Sequence, residues 1–176
     1  MMPRSYRSPY LLALLLIWLV GASPAGATPL LRNVGGIYGV ALEGGFSTIS
    51  PLGGASWSYA LSKHWYLQAH LAAAYRAHKR NPYYGAMLQP AVGYVLWSDE
   101  RRYFLSGLAG MSMLYESRKK NKQGAFNAGL ILGAGLEVSL IGQLSLLISG
   151  APTVFFLKRT YGQIDFCMAA GLKLSF

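Results

Sequence analysis

The sequence predicts an all-β fold, a single eight-stranded antiparallel up-and-down transmembrane β-barrel that follows a cleaved signal peptide. The chain is 53% hydrophobic but only 12% charged, whereas soluble domains average about 25% charged residues, so much of the surface need not face water. Apolar side chains alternate with polar or small ones along most of the chain. Several alternating segments also end in aromatic residues, and aromatic girdles at both interfaces are typical of membrane barrels.

The beginning of the chain predicts export. Arg4 and Arg7 precede a short apolar run at residues 11–20, and a small-residue cleavage motif ends at residue 27. This order of charge, apolar core and small residues is that of a secretory signal peptide. The alternative is an uncleaved membrane anchor, but the apolar run is short for a spanning helix, which needs about 20 residues. We therefore expect a signal peptide at 1–27 and one barrel domain at 28–176.

The first four strands are expected at 36–48, 53–61, 65–77 and 85–97, from a period of two in the hydrophobic pattern. Successive side chains of a strand point to opposite faces, so one face of each segment is apolar. Aromatic residues mark the ends of several of these strands and of the next one. They are Trp57, Tyr59, Trp65, Tyr75, Tyr94, Trp97, Tyr103 and Tyr115.

The last four strands are expected at 103–116, 126–140, 143–157 and 163–176. The final one is the clearest, because every second residue from Ile164 to Phe176 is apolar. Residues 138–157 carry no charge and are long enough for a spanning helix. Glycines, a proline and the period of two favour two strands there instead. Eight strands is an even number, as in bacterial single-chain barrels.

The connections predict an orientation. Short periplasmic turns are expected at 62–64, 98–102 and 141–142, and longer outer connections at 50–52, 78–84, 117–125 and 158–162. Most outer connections are the longer ones, as is usual in outer-membrane barrels. We therefore expect a bacterial outer-membrane location with both termini periplasmic. The terminal Phe176 resembles the C-terminal signal that the outer-membrane assembly machinery recognises.

The inward faces carry several polar and charged residues. An eight-stranded barrel is just wide enough for side chains to fill its interior, so we expect no solute pore. Buried charges need partners, and an internal network that holds the barrel closed is the favoured interpretation. A proton or ligand site around His70 and Glu137 is the alternative. The predicted network consists of Glu43, His70, Arg76, Glu137, Asp165 and Lys173, and other inward positions are Tyr66, Gln68 and Gln89.

The outer connections are strongly basic in a chain of net charge +10. Such loops attract polyanions without sequence information. We expect contact with membrane lipid and lipopolysaccharide phosphates, while a recipient cell surface or an acidic partner protein is the alternative. Direct contact with nucleic acid is not expected. The residues concerned are Lys79, Arg80, Arg118, Lys119, Lys120, Lys122, Lys158 and Arg159.

No catalytic activity, metal or cofactor is expected from the sequence. Cys167 is the single cysteine, which leaves no cysteine-based metal site. A triad needs a nucleophile, a base and an acid within reach of one another. His78 with Ser117 and Glu116 is the one open possibility, and the neighbouring Lys79 and Arg80 disfavour a base there.

The second half of the chain resembles the TraO family of conjugative transposons in Bacteroidetes. The similar segments are 92–94, 98–102, 104–108, 115–116, 133–138 and 171–173. The family implies an outer-membrane component of the conjugative mating apparatus with no known catalytic activity, and other transfer proteins as partners. Residues 149–156 depart from it, because the family tends to carry charges on this strand. The alternatives are a general small barrel for adhesion or envelope integrity and, more weakly, a lipid-modifying enzyme.

Overall fold

The computed structural model describes residues 35–77, 82–99, 102–118, 124–157 and 163–176. The predicted signal peptide at 1–27 lies outside the described residues. Eight strands were expected and eight are found. They are β1 (Tyr38–Ser47), β2 (Pro51–Ala60), β3 (Trp65–Arg76), β4 (Tyr83–Ser98), β5 (Tyr103–Arg118), β6 (Gly124–Ile141), β7 (Leu144–Phe155) and β8 (Ile164–Ser175).

The strands form one closed barrel, which confirms the predicted fold class. Each strand pairs antiparallel with its neighbour along the chain, and β1 pairs with β8 to close the sheet. Closure leaves no strand edge unpaired. Residues 138–157, the possible helix, contain the end of β6, a turn with Gly142 at φ 55°, and β7. In the described part of the chain no helix is long and apolar enough to cross a membrane.

Three of the strand boundaries that differ from the expected ones have a clear physical reason. β2 begins at Pro51 rather than 53, because Ser47 and Ser50 close a tight turn: the Ser47 amide donates to the Ser50 carbonyl at 2.8 Å. β4 begins at Tyr83 and β5 continues to Arg118, because those two residues still pair with each other. The start of β4 and the end of β5 therefore each extend two residues beyond what the hydrophobic pattern predicted.

The barrel has two distinguishable ends. The terminal end carries the first residue of β1, the last residue of β8 and the strand ends that flank the β2–β3, β4–β5 and β6–β7 connections, and the loop end carries the strand ends that flank the other four connections. The outer face is apolar, with Leu42, Leu132 and Leu71 exposed by 72%, 69% and 60%. Serines, glycines and most of the charged side chains in the strands occupy the inner face, as the alternation predicted.

An apolar cluster fills the lumen in the half nearer the loop end. Phe155, only 2% exposed, packs there with Leu52, Met87 and Leu114. Small residues from β3 and β8 complete the cluster, which we call the apolar layer: Ala72, Cys167 and Ala169. Each large side chain comes from a different strand, so the layer joins distant parts of the wall through apolar contacts.

Candidate functional site

A cavity of about 320 Å³, with both apolar and polar residues in its wall, occupies the half of the lumen nearer the terminal end. We call it the terminal cavity. It reaches the turn of Ser62, Lys63 and His64 between β2 and β3. The wall is mixed, and its apolar surface includes Phe104, Leu147 and Val95. The inward polar residues that line it are Ser56, Ser58, Tyr66, Gln68, Ser106, Glu137, Lys173 and Ser175.

One ion pair lies in the wall of this cavity. Lys173 Nζ donates to Glu137 Oε2 at 3.2 Å, and the two side chains are 10% and 6% exposed. Glu137 belongs to β6 and Lys173 to β8, so the pair crosses the intervening β7. The sequence placed both residues on inward faces of nearby strands. Removing one partner of a buried pair leaves an uncompensated charge, which typically costs about 3–5 kcal/mol.

Gly39 makes room for the lysine. A Cβ at this position would lie 2.4 Å from Lys173 Cε and 2.7 Å from Ser58 Oγ. Those distances are well inside van der Waals contact, so no side chain fits there while Lys173 keeps its place. The bare backbone of Gly39 therefore allows the Lys173 side chain and the Ser58 hydroxyl to lie side by side at the cavity wall.

Tyr66, on β3, is positioned in the same way. A Cβ at Gly93 would overlap the Tyr66 ring, at 2.0 Å from Cζ, so the ring lies directly over β4. The Tyr66 hydroxyl donates to Ser106 Oγ at 2.9 Å, and Ser106 Oγ donates to the Gly135 carbonyl at 3.2 Å. This chain of hydrogen bonds links β3, β5 and β6 on the inner side of β4.

Three buried serine hydroxyls surround Lys173. Within the described residues, the Oγ atoms of Ser139, Ser145 and Ser175 have no hydrogen-bond partner. Ser145 pairs in register with both Ser139 and Lys173, and it is fully buried. Ser175 is 2% exposed and lines the terminal cavity. Burying a hydroxyl without a hydrogen-bond partner costs free energy. These three hydroxyls can therefore still donate or accept hydrogen bonds.

The other predicted interior charges lie at different heights in the barrel. Glu43 is buried and accepts a hydrogen bond from the Ser56 hydroxyl. The Asp165 carboxylate accepts from the Thr48 amide at 3.1 Å, at the loop end. Arg76 is exposed because β3 ends there, and its guanidinium donates to the Ile49 carbonyl at 3.2 Å. The six predicted residues thus lie in several local groups along the barrel.

His70 lies in the middle of the barrel. Its Nδ1 is 3.3 Å from Gln89 Oε1, and Gln89 Nε2 donates to Ser112 Oγ at 3.3 Å. Glu137 lines the terminal cavity, whereas His70 is not among the lining residues. His70 and Glu137, the two members of the alternative proton or ligand site, therefore have different polar neighbours.

Glu116, the last residue of the expected fifth strand, is an interior residue that the predicted network did not include. It is 7% exposed, and the buried Tyr83 hydroxyl donates to it at 3.1 Å. The alternation of β5 could have predicted this inward position, because Ser112, Leu114 and Glu116 lie on the same inward face. His78, its possible partner in a triad, lies outside the described residues.

Most of the predicted polyanion-contacting residues also lie outside the described residues: Lys79, Arg80, Lys119, Lys120, Lys122, Lys158 and Arg159. The backbone of Arg118 ends β5 and pairs with Tyr83. The described strand ends that flank the three connections containing these cations lie at the loop end. Among the described residues, no group of three or more His, Cys, Asp or Glu is placed to hold a metal ion.

Two aromatic belts flank the apolar outer face. In β3, β4 and β8 their members stand ten residues apart, as Trp65 and Tyr75 do. At about 3.3 Å per residue and a tilt of about 40°, ten residues correspond to roughly 25 Å along the barrel axis. The belt at the terminal end comprises Tyr38, Trp57, Trp65, Tyr94, Trp97 and Phe176. The belt at the loop end comprises Phe46, Tyr75, Tyr84, Tyr115, Phe126 and Phe166.

Solved structures with this fold are small bacterial outer-membrane barrels. The N-terminal barrel domain of Pseudomonas aeruginosa OprF matches with a TM-score of 0.65 at 14% identity, covering 81% of this chain and 98% of that one. Pseudomonas aeruginosa OprG gives 0.58 at 8% identity, with 82% and 98% covered. Yersinia pestis Ail, the attachment invasion locus protein, gives 0.51 at 14% identity, with 81% and 99% covered. No family model and no curated protein matches the sequence.

Proposed function

We propose that this chain is a small, non-enzymatic outer-membrane barrel that serves adhesion or envelope integrity. The observation that carries the proposal is the pair of aromatic belts on either side of an apolar outer face. Their separation of roughly 25 Å equals the height of the apolar band in outer-membrane barrels. A barrel with such a surface is stable in a bilayer, because closure satisfies every strand and the outer side chains face lipid.

In this proposal, the basic connections between the strands bind the partners of the barrel. Their charge suits lipopolysaccharide phosphates or another polyanion at the cell surface. One relative in fold, Yersinia pestis Ail, has been crystallised with the heparin analogue sucrose octasulfate, at a TM-score of 0.51 and 13% identity. That structure supports the proposal that a barrel of this shape can present a polyanion-binding surface.

Fractionation and surface proteolysis test this proposal together. The protein should sediment with the outer membrane, and trypsin added to intact cells should cleave in the connection that contains Lys119, Lys120 and Lys122. Cleavage only after the outer membrane is permeabilised would invert the orientation and place the basic loops in the periplasm. Recovery in the soluble periplasmic fraction would end the membrane proposal.

A role in conjugative transfer is the second candidate, and it rests on the resemblance of residues 92–176 to the TraO family. In this role the barrel anchors other transfer proteins in the outer membrane of the cell. Deleting the gene from a conjugative donor should then reduce transfer frequency without changing sensitivity to detergents. Loss of envelope integrity or adhesion with normal transfer would favour the first candidate instead.

We also propose that the protein catalyses no reaction. His70, the histidine in the lumen, has the amide of Gln89 as its neighbour. His64 is exposed and stacks on Tyr94 with ring centroids 5.6 Å apart. Neither arrangement places a serine or cysteine nucleophile against an oriented base, as covalent catalysis requires. Purified protein should therefore release no fatty acid from phospholipid or lipopolysaccharide, and steady release would overturn this part.

A further inference from the structure

We propose that the terminal cavity binds a small neutral polyol of about monosaccharide size. The inference does not depend on the role of the barrel in the envelope. The cavity measures about 320 Å³, at the small end of the range of roughly 300–1,000 Å³ for ligand pockets. The turn of Ser62, Lys63 and His64 forms part of its lining, and the apolar layer lies on its other side, toward the loop end.

The charge balance of the cavity selects a neutral ligand. Lys63, the other cation of the lining, is exposed in the turn, so the charges in the buried part of the wall are those of Glu137 and Lys173, which neutralise each other at 3.2 Å with both side chains at least nine-tenths buried. An anion would meet the Glu137 carboxylate, and a cation would meet the Lys173 ammonium. Either would add a third charge to a buried pair, and a buried charge without its own partner is strongly unfavourable. A neutral molecule adds none.

The polar groups of the wall select a ligand with many hydroxyls. The Tyr66 hydroxyl, the Gln68 amide, and the Ser58 and Ser106 hydroxyls line the cavity. Hydroxyls act both as donors and as acceptors, and the ion pair presents one group of each kind. A polyol matches such a mixed wall because each of its hydroxyls also donates and accepts.

Ser175 gives independent evidence for a missing partner. It lines the cavity and is 2% exposed, yet its hydroxyl has no hydrogen-bond partner within the described residues. Phe104 and Leu147 contribute apolar surface to the same cavity. The carbon–hydrogen face of a sugar ring can pack on such a surface while its hydroxyls reach the serines.

Solution NMR tests the proposal on the protein folded in a detergent without a sugar headgroup. Glucose is titrated, with acetate and methylammonium as charged probes of smaller size. We expect saturable shifts of the amides of Gly39, Ser58, Tyr66 and Ser106 with glucose and no saturable shifts with the ions. Absence of saturation with glucose would overturn the site, and saturation of the same amides by acetate would overturn the neutral ligand.

Two glycines on β1 offer a matched pair of variants. Gly39→Ala should push Lys173 into the cavity, because the new Cβ would lie 2.4 Å from Lys173 Cε. Gly44→Ala is the control, since it lies on the outer face and its Cβ would meet nothing within 4 Å. Glucose should bind Gly39→Ala about tenfold more weakly and Gly44→Ala as it binds the wild type.

The Ser175→Ala variant provides a second test of glucose binding if the Gly39→Ala variant does not fold. The change removes one hydroxyl and adds no volume, so the barrel should form normally. Glucose affinity should fall several-fold because one hydrogen bond to the ligand is lost. Wild-type affinity in every folded cavity variant would mean that the observed shifts arise elsewhere, and the proposal would fail.

Discussion

Toward the loop end, the lumen is filled by Phe155 and three other large apolar side chains, whereas toward the terminal end the same lumen holds an ion pair and a cavity. Both halves are enclosed by the same eight strands. Their stability, however, has different origins. The apolar layer is stabilised by close packing, which tolerates no void. The terminal half depends on pairing, because every buried charge there needs its partner.

The difference shows how a narrow barrel can be closed and still keep space for a ligand. The packed half joins six strands through side-chain contacts that need no water. The terminal half does not depend on such packing. There, the absence of a side chain at Gly39 and Gly93 leaves room for polar side chains to lie against the wall. Disrupting each half separately should therefore have distinct consequences for stability and for binding.

The largest effect is expected from Phe155→Ala in the apolar layer. The side chain is 2% exposed and packs among residues of other strands, so its removal leaves a cavity that the layer cannot refill. Such a change typically costs about 3–5 kcal/mol. Urea unfolding in detergent measures the free energy of unfolding. Phe156→Ala is the control, because Phe156 is 57% exposed, and an equal loss in both variants would contradict the assigned layer.

The ion pair should give the next largest effect. Glu137→Gln removes the carboxylate charge that pairs with the buried Lys173 ammonium, at a cost of about 3 kcal/mol. Glu137→Gln combined with Lys173→Met removes both charges and should recover part of that loss in the same unfolding experiment. If the double variant loses as much as the two single variants together, the residues are not coupled and the terminal half does not depend on their pairing.

A smaller effect is expected from Tyr66→Phe, which removes only the hydroxyl that donates to Ser106. The loss of one such hydrogen bond costs about 1 kcal/mol. Tyr94→Phe serves as the control, because Tyr94 is on the outer face at 38% exposure. Equal unfolding free energies for the wild type and Tyr66→Phe would show that the hydroxyl does not stabilise the lumen.

The smallest effect on stability is expected from the basic connection after β5. Replacing Arg118, Lys119, Lys120 and Lys122 with Gln should change the unfolding free energy by no more than about 0.5 kcal/mol, as is usual for surface charges. Binding to heparin should weaken in the variant, and wild-type binding should fall as salt is raised. A large loss of stability would mean that this connection, and not only the lumen, holds the barrel together.

The sequence was sufficient to predict the fold because a period of two is a local signal. The alternation within a single strand is enough to assign each residue to the inward or the outward face. The inward placement of Glu137 and Lys173 follows from that alternation alone. Boundaries were less certain where polar residues continue a strand, as at Arg118. The pattern cannot distinguish the last paired residues from the first residues of a polar connection.

The terminal cavity could not be predicted, because it depends on which residues of different strands lie at the same height. That height is set by the stagger of the strands and by two irregularities in pairing. One, between Val95 and Trp97, leaves both Leu96 and Trp97 exposed and interrupts the alternation of β4. The space beside Tyr66 likewise exists because Gly93 lies opposite it, which a single-strand pattern does not show.

Thiol labelling tests most directly whether the lumen has an accessible terminal half and a sealed loop half. Cys167 belongs to the apolar layer, and Ser58→Cys in a Cys167→Ala background places a thiol in the terminal cavity. Iodoacetamide, a small neutral reagent, is applied to the folded barrel, and each rate is compared with that of the same protein unfolded in urea. The account predicts that the thiol at position 58 reacts within about tenfold of its unfolded rate, and that Cys167 reacts at least a hundredfold more slowly than when unfolded. Equal protection of the two thiols, or free reaction of Cys167 in the folded barrel, would contradict it.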